Sequence, residues 1–156
     1  MNANTVVEEV LQKWRPLTNL RRRLLVEDKY KMGCIPYWHY AVALSDDWAI
    51  SWGLDKKSSE LTIHSLGKLN YRESNFDSDI DDDDILKNIV TSCFLVHGKI
   101  DYILSEFNCE HWARLVTGGR TKCSQTGYRN DKFMPVFERA KHQFSSIVDR
   151  LIDKNQ

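Results

Sequence analysis

At 156 residues the chain is long enough for one domain with a real core and too short for two comfortable ones. Hydrophobic residues make up 42% and charged residues 28%, ordinary values for a globular protein. The formal net charge is zero, so no global field steers the chain toward nucleic acid or an anionic membrane. No apolar run approaches the roughly 18 residues of a membrane span. The opening MNANTVVEEVLQKW lacks a basic region ahead of an apolar stretch, and a secretory signal is not expected. Four cysteines, Cys34, Cys93, Cys109 and Cys123, show no CxxC spacing. Without an export signal, reduced thiols in a cytoplasmic setting are the expectation.

In chain order, Val6, Val7, Val10, Leu11 and Trp14 fall at helical spacing, predicting a helix from Thr5 to about Trp14 that Pro16 ends. Arg21, Arg22 and Arg23 follow and read as a solvated basic face. Leu24 to Lys31 and Tyr37 to Leu44 read as strands, and Trp48 to Trp52 pairs with the second across a short Ser45-Asp46-Asp47 turn. Glu60 to Leu66 is a further strand, beyond a polar stretch from Asp55 to Ser59. Glu73 to Asp84 is polar and acidic and reads as a loop. Its DSDIDDDD run lacks the glycine and terminal glutamate of a helix-loop-helix calcium site.

Ile85 to Val96 has a helical pattern, with aspartates at the N-terminal end where the helix dipole favours them. Cys109 to Thr117 is a second helix of this half, closed by Gly118-Gly119. Phe133, Val136, Phe137, Ala140, Phe144, Ile147, Val148, Leu151 and Ile152 then form an amphipathic stripe, expected to pack on the same domain. Strands followed by helices argue for an α+β fold, a small antiparallel sheet packed against helices. The organisation expected is a helical extension over 1–23, a catalytic unit over 24–132 and a C-terminal helix over 133–156.

The segment FNCEHWARLVTGG carries the chemistry. Asn108 can cap a helix that starts at Cys109, placing the thiol where the first backbone N–H groups and the macrodipole favour a thiolate. Those N–H groups are also candidate oxyanion donors. On the strand YWHYAVAL, alternation puts Tyr37, His39, Ala41 and Ala43 on one face, and the two alanines leave room for a helix beside the histidine. A thiol and an imidazole that meet there form an activated nucleophile. Taken on spacing alone, a buried structural cysteine is the competing reading. His111, two residues past Cys109, points away on a helix and suggests a structural or hydrogen-bonding role. Zinc ligation by Cys109 and His111 lacks a second ligand pair, and no cofactor motif stands out.

YWHYAVALSDD resembles the histidine strand of the lecithin:retinol acyltransferase family, which includes the H-Ras-like suppressor phospholipid acyltransferases. DYILSEFNCEHWARLVTGG resembles that family's nucleophile motif. The order agrees too, with the cysteine about seventy residues after His39. The resemblance covers roughly 24–125. It implies a circularly permuted papain-like fold of the NlpC/P60 type. It also implies an acyl chain carried from a phospholipid on Cys109, with His39 as base and an unknown acceptor.

The family's second histidine aligns without gaps on Ser51, while the next histidine is His64, 25 residues beyond His39. Either an insertion moves the third catalytic position to His64, the choice favoured here, or Ser51 orients His39. A cysteine peptidase or amidase, and a binding module that has lost its third group, are the alternative functions. The amphipathic C-terminal stripe leaves peripheral membrane contact open.

Overall fold

The computed structural model describes residues 2–32, 35–53, 60–68, 71–74, 80–97, 108–118 and 133–155, with the side chains of 27–38 also outside the description. Cys34, Cys123, Gly119, the polar stretch at 55–59 and the aspartates at 77 and 79 therefore lie outside the described residues, as do the Tyr37 and Trp38 side chains.

Helix α1 spans Ala3–Lys13. Asn2 caps it, its side chain accepting the Thr5 amide at 2.9 Å, which satisfies one of the first-turn donors. Val6, Val7, Val10 and Leu11 form one buried stripe, and the chain turns extended at Trp14, just before Pro16.

Strands β1 (Leu24–Met32) and β2 (Ile35–Ala43) pair antiparallel, with Leu24 opposite Val42, Leu25 opposite Ala41 and Glu27 opposite His39. Strand β3 (Trp48–Trp52) returns along β2 through a tight connection. There the Ser45 hydroxyl accepts the Asp47 and Trp48 amides at 3.1 and 3.2 Å. Strand β4 (Leu61–Ser65) pairs with β3 from Trp48↔Ser65 to Trp52↔Leu61. Between them Gly53 adopts φ 66°, a left-handed conformation that glycine takes without steric cost.

One 3₁₀ turn, Leu66–Lys68, precedes strand β5 (Tyr71–Glu73), which crosses over to pair with β1. The five-stranded antiparallel sheet has the order β4-β3-β2-β1-β5. Strand β5 is not expected from the sequence, and it meets the expected 73–84 loop only at Glu73, while a helix takes up Asp82 to Asp84 at the other end. Its three residues are too few for alternation to register, and Glu73 secures them by accepting the Arg21 and Arg22 amides at 2.5 and 2.7 Å.

Helix α2 (Asp82–Val96) begins at Asp81, whose side chain accepts the Asp84 amide at 2.9 Å. Asp82, Asp83 and Asp84 occupy its first turn, where the dipole favours negative charge. Helices α3 (Cys109–Gly118) and α4 (Phe133–Lys154) complete the α+β architecture. Much of the α4 stripe packs on the protein's own core, while Ile147 is exposed. Phe137, Val148 and Ile152 join the central cluster, and Phe144 meets Phe94 of α2 with ring centroids 5.7 Å apart. Among the described residues, no helix is long and apolar enough to cross a membrane.

Two polar clamps hold the segment after α1. Asp46, in the β2–β3 connection, accepts the Thr18 hydroxyl and the Thr18, Asn19 and Leu20 amides. The Thr18 hydroxyl, followed by these amides, holds its carboxyl down to about 2. Arg23 overturns the reading of the three arginines as a solvated face, because it is buried. Its guanidinium forks onto Asp82 at 2.9 and 2.8 Å and donates to the Ala43 and Arg15 carbonyls at 3.0 and 2.9 Å. It also stacks over the Trp14 ring at 3.7 Å.

Candidate active site

The first turn of α3 is built around Asn108. Its side-chain oxygen accepts the Glu110 and His111 amides at 3.0 and 3.1 Å, and its carbonyl accepts the Trp112 amide at 3.1 Å. In return the Asn108 amide donates to Nδ1 of His111 at 3.0 Å. This is the reciprocal geometry of a capping box, with histidine in the place usually held by glutamate or glutamine. The Asn-x-x-His spacing was its only sequence signal. These bonds commit the amides of Glu110, His111 and Trp112, which removes those three from the expected oxyanion donors.

Helix α3 packs against β2 and β3. Cys109 is fully buried, and the Tyr40 amide donates to its sulfur at 3.4 Å. Among the described residues the β2–β3 ladder ends at Val42↔Ile50, whereas β3 stays paired to β4 as far as Trp52. The thiol thus occupies the notch where β2 and β3 part. The Tyr40 nitrogen is two covalent bonds from the His39 Cα, which brings the candidate nucleophile and the candidate base's strand position together. An N–H aimed at sulfur favours the thiolate over the thiol, adding to the helix terminus.

The approach differs from the expected one. Alternation puts Tyr40, Val42 and Ile50 on one face of the sheet, and these share the central cluster with Cys109, Trp112, Ala113, Leu115 and Val116. Ala41, Ala43 and Ala49, on the histidine's face, are buried outside that cluster. The helix therefore contributes its apolar side chains to the Tyr40 face, and the thiol meets β2 at its edge rather than over the alanines.

His39 itself is buried, with 1% of its surface exposed. Ala43 pairs with Ala49 and Ala49 with His64, so alternation extends one face through Ala41 and His39 on β2, Ser51 on β3 and His64 on β4. The two competing third positions turn out to be partners. Ser51 Oγ lies 3.2 Å from Nε2 of His64, whose ring stacks on Tyr71 at 5.7 Å and 11°. Burial pushes the His64 imidazole down to about 4, so it is neutral at physiological pH.

Glu110 is wholly buried and takes the Arg114 guanidinium at 2.6 Å, an i,i+4 pair whose guanidinium lies 5.8 Å from the Tyr40 ring centre. Cys93, inside α2 rather than at a helix N-terminus, has its thiol pushed up to about 12 by burial. His97 is also spent structurally, accepting the Leu61 amide at 3.0 Å through Nδ1. Cavities of about 380 Å³ beside Trp48 and about 440 Å³ between α1 and α4 include none of Cys109, His39, Ser51 or His64. No family profile, curated protein or solved structure matches the chain.

Proposed function

We propose that the chain is a cysteine-dependent acyltransferase or acyl hydrolase acting on phospholipid acyl chains, on a circularly permuted papain-like scaffold. The observation that carries this reading is the Tyr40 amide bonded to Cys109 Sγ at 3.4 Å, with the sulfur at the N-terminus of α3 and one residue along β2 from His39. A thiol needing only structural burial does not require that placement, and a nucleophile benefits from it. The lipid class is supported by the resemblance of the histidine strand and the Asn-Cys-Glu-His motif to the lecithin:retinol acyltransferase family.

In the proposed cycle His39 takes the proton of Cys109 and the thiolate attacks the ester carbonyl. The resulting tetrahedral oxyanion forms at the N-terminus of α3, where the helix dipole favours negative charge. Collapse breaks the ester C–O bond, and His39 returns its proton to the departing lysophospholipid oxygen. An alcohol, an amine or water, deprotonated by the same imidazole, then attacks the thioester and releases Cys109. Ser51 and His64, on the face of His39, supply the polar pair that orients it.

A second reading, a binding module that keeps the fold without turnover, is favoured by the complete burial of Cys109 and the engagement of Ser51 with His64. Incubation with phosphatidylcholine vesicles separates the two. The enzyme reading requires release of lysophosphatidylcholine and a fatty-acyl adduct on Cys109, removed by hydroxylamine. Neither product from the wild-type protein would overturn it, and release that persists in Cys109→Ala would overturn the nucleophile.

A further inference from the structure

We infer that His111 is a positioning residue for Cys109, holding the first turn of α3 through a buried reciprocal clamp with Asn108; the inference rests on the reading of Cys109 as a nucleophile. Asn108, Cys109 and His111 are all fully buried. The Asn108 side chain takes the Glu110 and His111 amides, and His111 Nδ1 takes the Asn108 amide at 3.0 Å. An amide N–H can only donate, so Nδ1 carries no proton and the neutral ring carries its proton on Nε2.

The residue type follows from the neighbour. Glutamate would close the same box but set a second negative charge within a turn of the thiolate, raising the cost of ionising it. A neutral imidazole closes the box without that charge. Removing the acceptor would leave the Asn108 amide unsatisfied in a buried setting, and the first turn relaxes to hydrate it. Two features of the site depend on that turn: the helix terminus beneath Cys109 and the register of its sulfur on the Tyr40 amide.

The test compares His111→Gln, which retains an uncharged acceptor, with His111→Leu, which removes it. Thiolate formation is followed by ultraviolet absorbance against pH, with the same titration of Cys109→Ser subtracted to isolate the one thiol. The Gln variant is expected to titrate like the wild type, and the Leu variant about one pH unit higher, with acylation from phosphatidylcholine about tenfold slower near neutral pH. An unchanged midpoint in the Leu variant overturns the inference. Where that variant fails to fold, nitrogen NMR of labelled histidine in the wild type decides. An unprotonated Nδ1 with a slowly exchanging Asn108 amide supports the clamp, and a protonated Nδ1 at neutral pH overturns it. A midpoint that shifts in a protein that takes up no acyl chain supports the positioning and overturns the lipid reading, so the two failures stay distinct.

Discussion

The guanidinium of Arg23 and the carboxylate of Asp82 form an unequal pair, with side chains 1% and 54% exposed. That inequality sets the cost of losing either partner. Arg23→Met frees an aspartate that water can solvate, so the loss is confined to the Ala43 and Arg15 carbonyls and the Trp14 contact, about 2 kcal/mol. Asp82→Ala instead strands a buried cation, and a loss of about 3–5 kcal/mol is expected. Urea denaturation of both variants checks the order, and a smaller loss for Asp82→Ala contradicts the burial of the charge. The sequence could not mark this arginine out. Three consecutive arginines look alike, and only the packing of α1, β2 and α2 around the third makes it a core residue. Cys109 and Asn108 were legible for the opposite reason, because a helix N-terminus is a local property of a few adjacent residues. Their partner His111 is set by that same local geometry.

At the scale of elements, alternation located β1 to β4 and helical spacing located all four helices, each to within a few residues. Strand β5 escaped because it borrows its stability from β1 and from the Glu73 contacts with Arg21 and Arg22. The choice between Ser51 and His64 was likewise beyond a linear reading. Strand pairing places the two side chains on one face, 13 residues apart in sequence and 3.2 Å apart in space. This pairing has a measurable consequence.

Burial lowers the His64 imidazole from 6.5 to about 4. The unfolded chain therefore takes up its proton near pH 6.5 and the folded sheet only near pH 4. Its contribution is fully present above the unfolded value and is lost as pH falls through that window. The urea midpoint of the wild type should fall more steeply between pH 7 and pH 4.5 than that of His64→Gln. The variant removes this titration and leaves those of the other histidines. Equal slopes would show that the β3–β4 face does not bury the ring.

For the molecule as a whole, one hydrophobic cluster links the first helix to the sheet and to the later helices. Val6, Val7, Val10 and Leu11 of α1 share it with Tyr40, Val42 and Trp52 of the sheet, with Ile89 and Val90 of α2 and with Trp112 of α3. A core that runs without interruption from the first helix to the helix bearing Cys109 ties the integrity of the candidate site to residues far from it in sequence. Val10, with none of its surface exposed, is the point at which to test that tie. Val10→Ala removes two methyl groups from a packed site and should cost about 2 kcal/mol from lost burial and the cavity left behind. Removing residues 1–13 takes the whole stripe away and uncovers the faces of α2 and β4 that it packs on, and cooperative folding should be lost with it. Circular dichroism and denaturant titration of the truncated chain read this directly. A shortened protein that still unfolds in one sharp transition, with the thiol of Cys109 still protected from alkylating reagents, would show that α1 is an appendage and that the sheet and α3 hold the site by themselves.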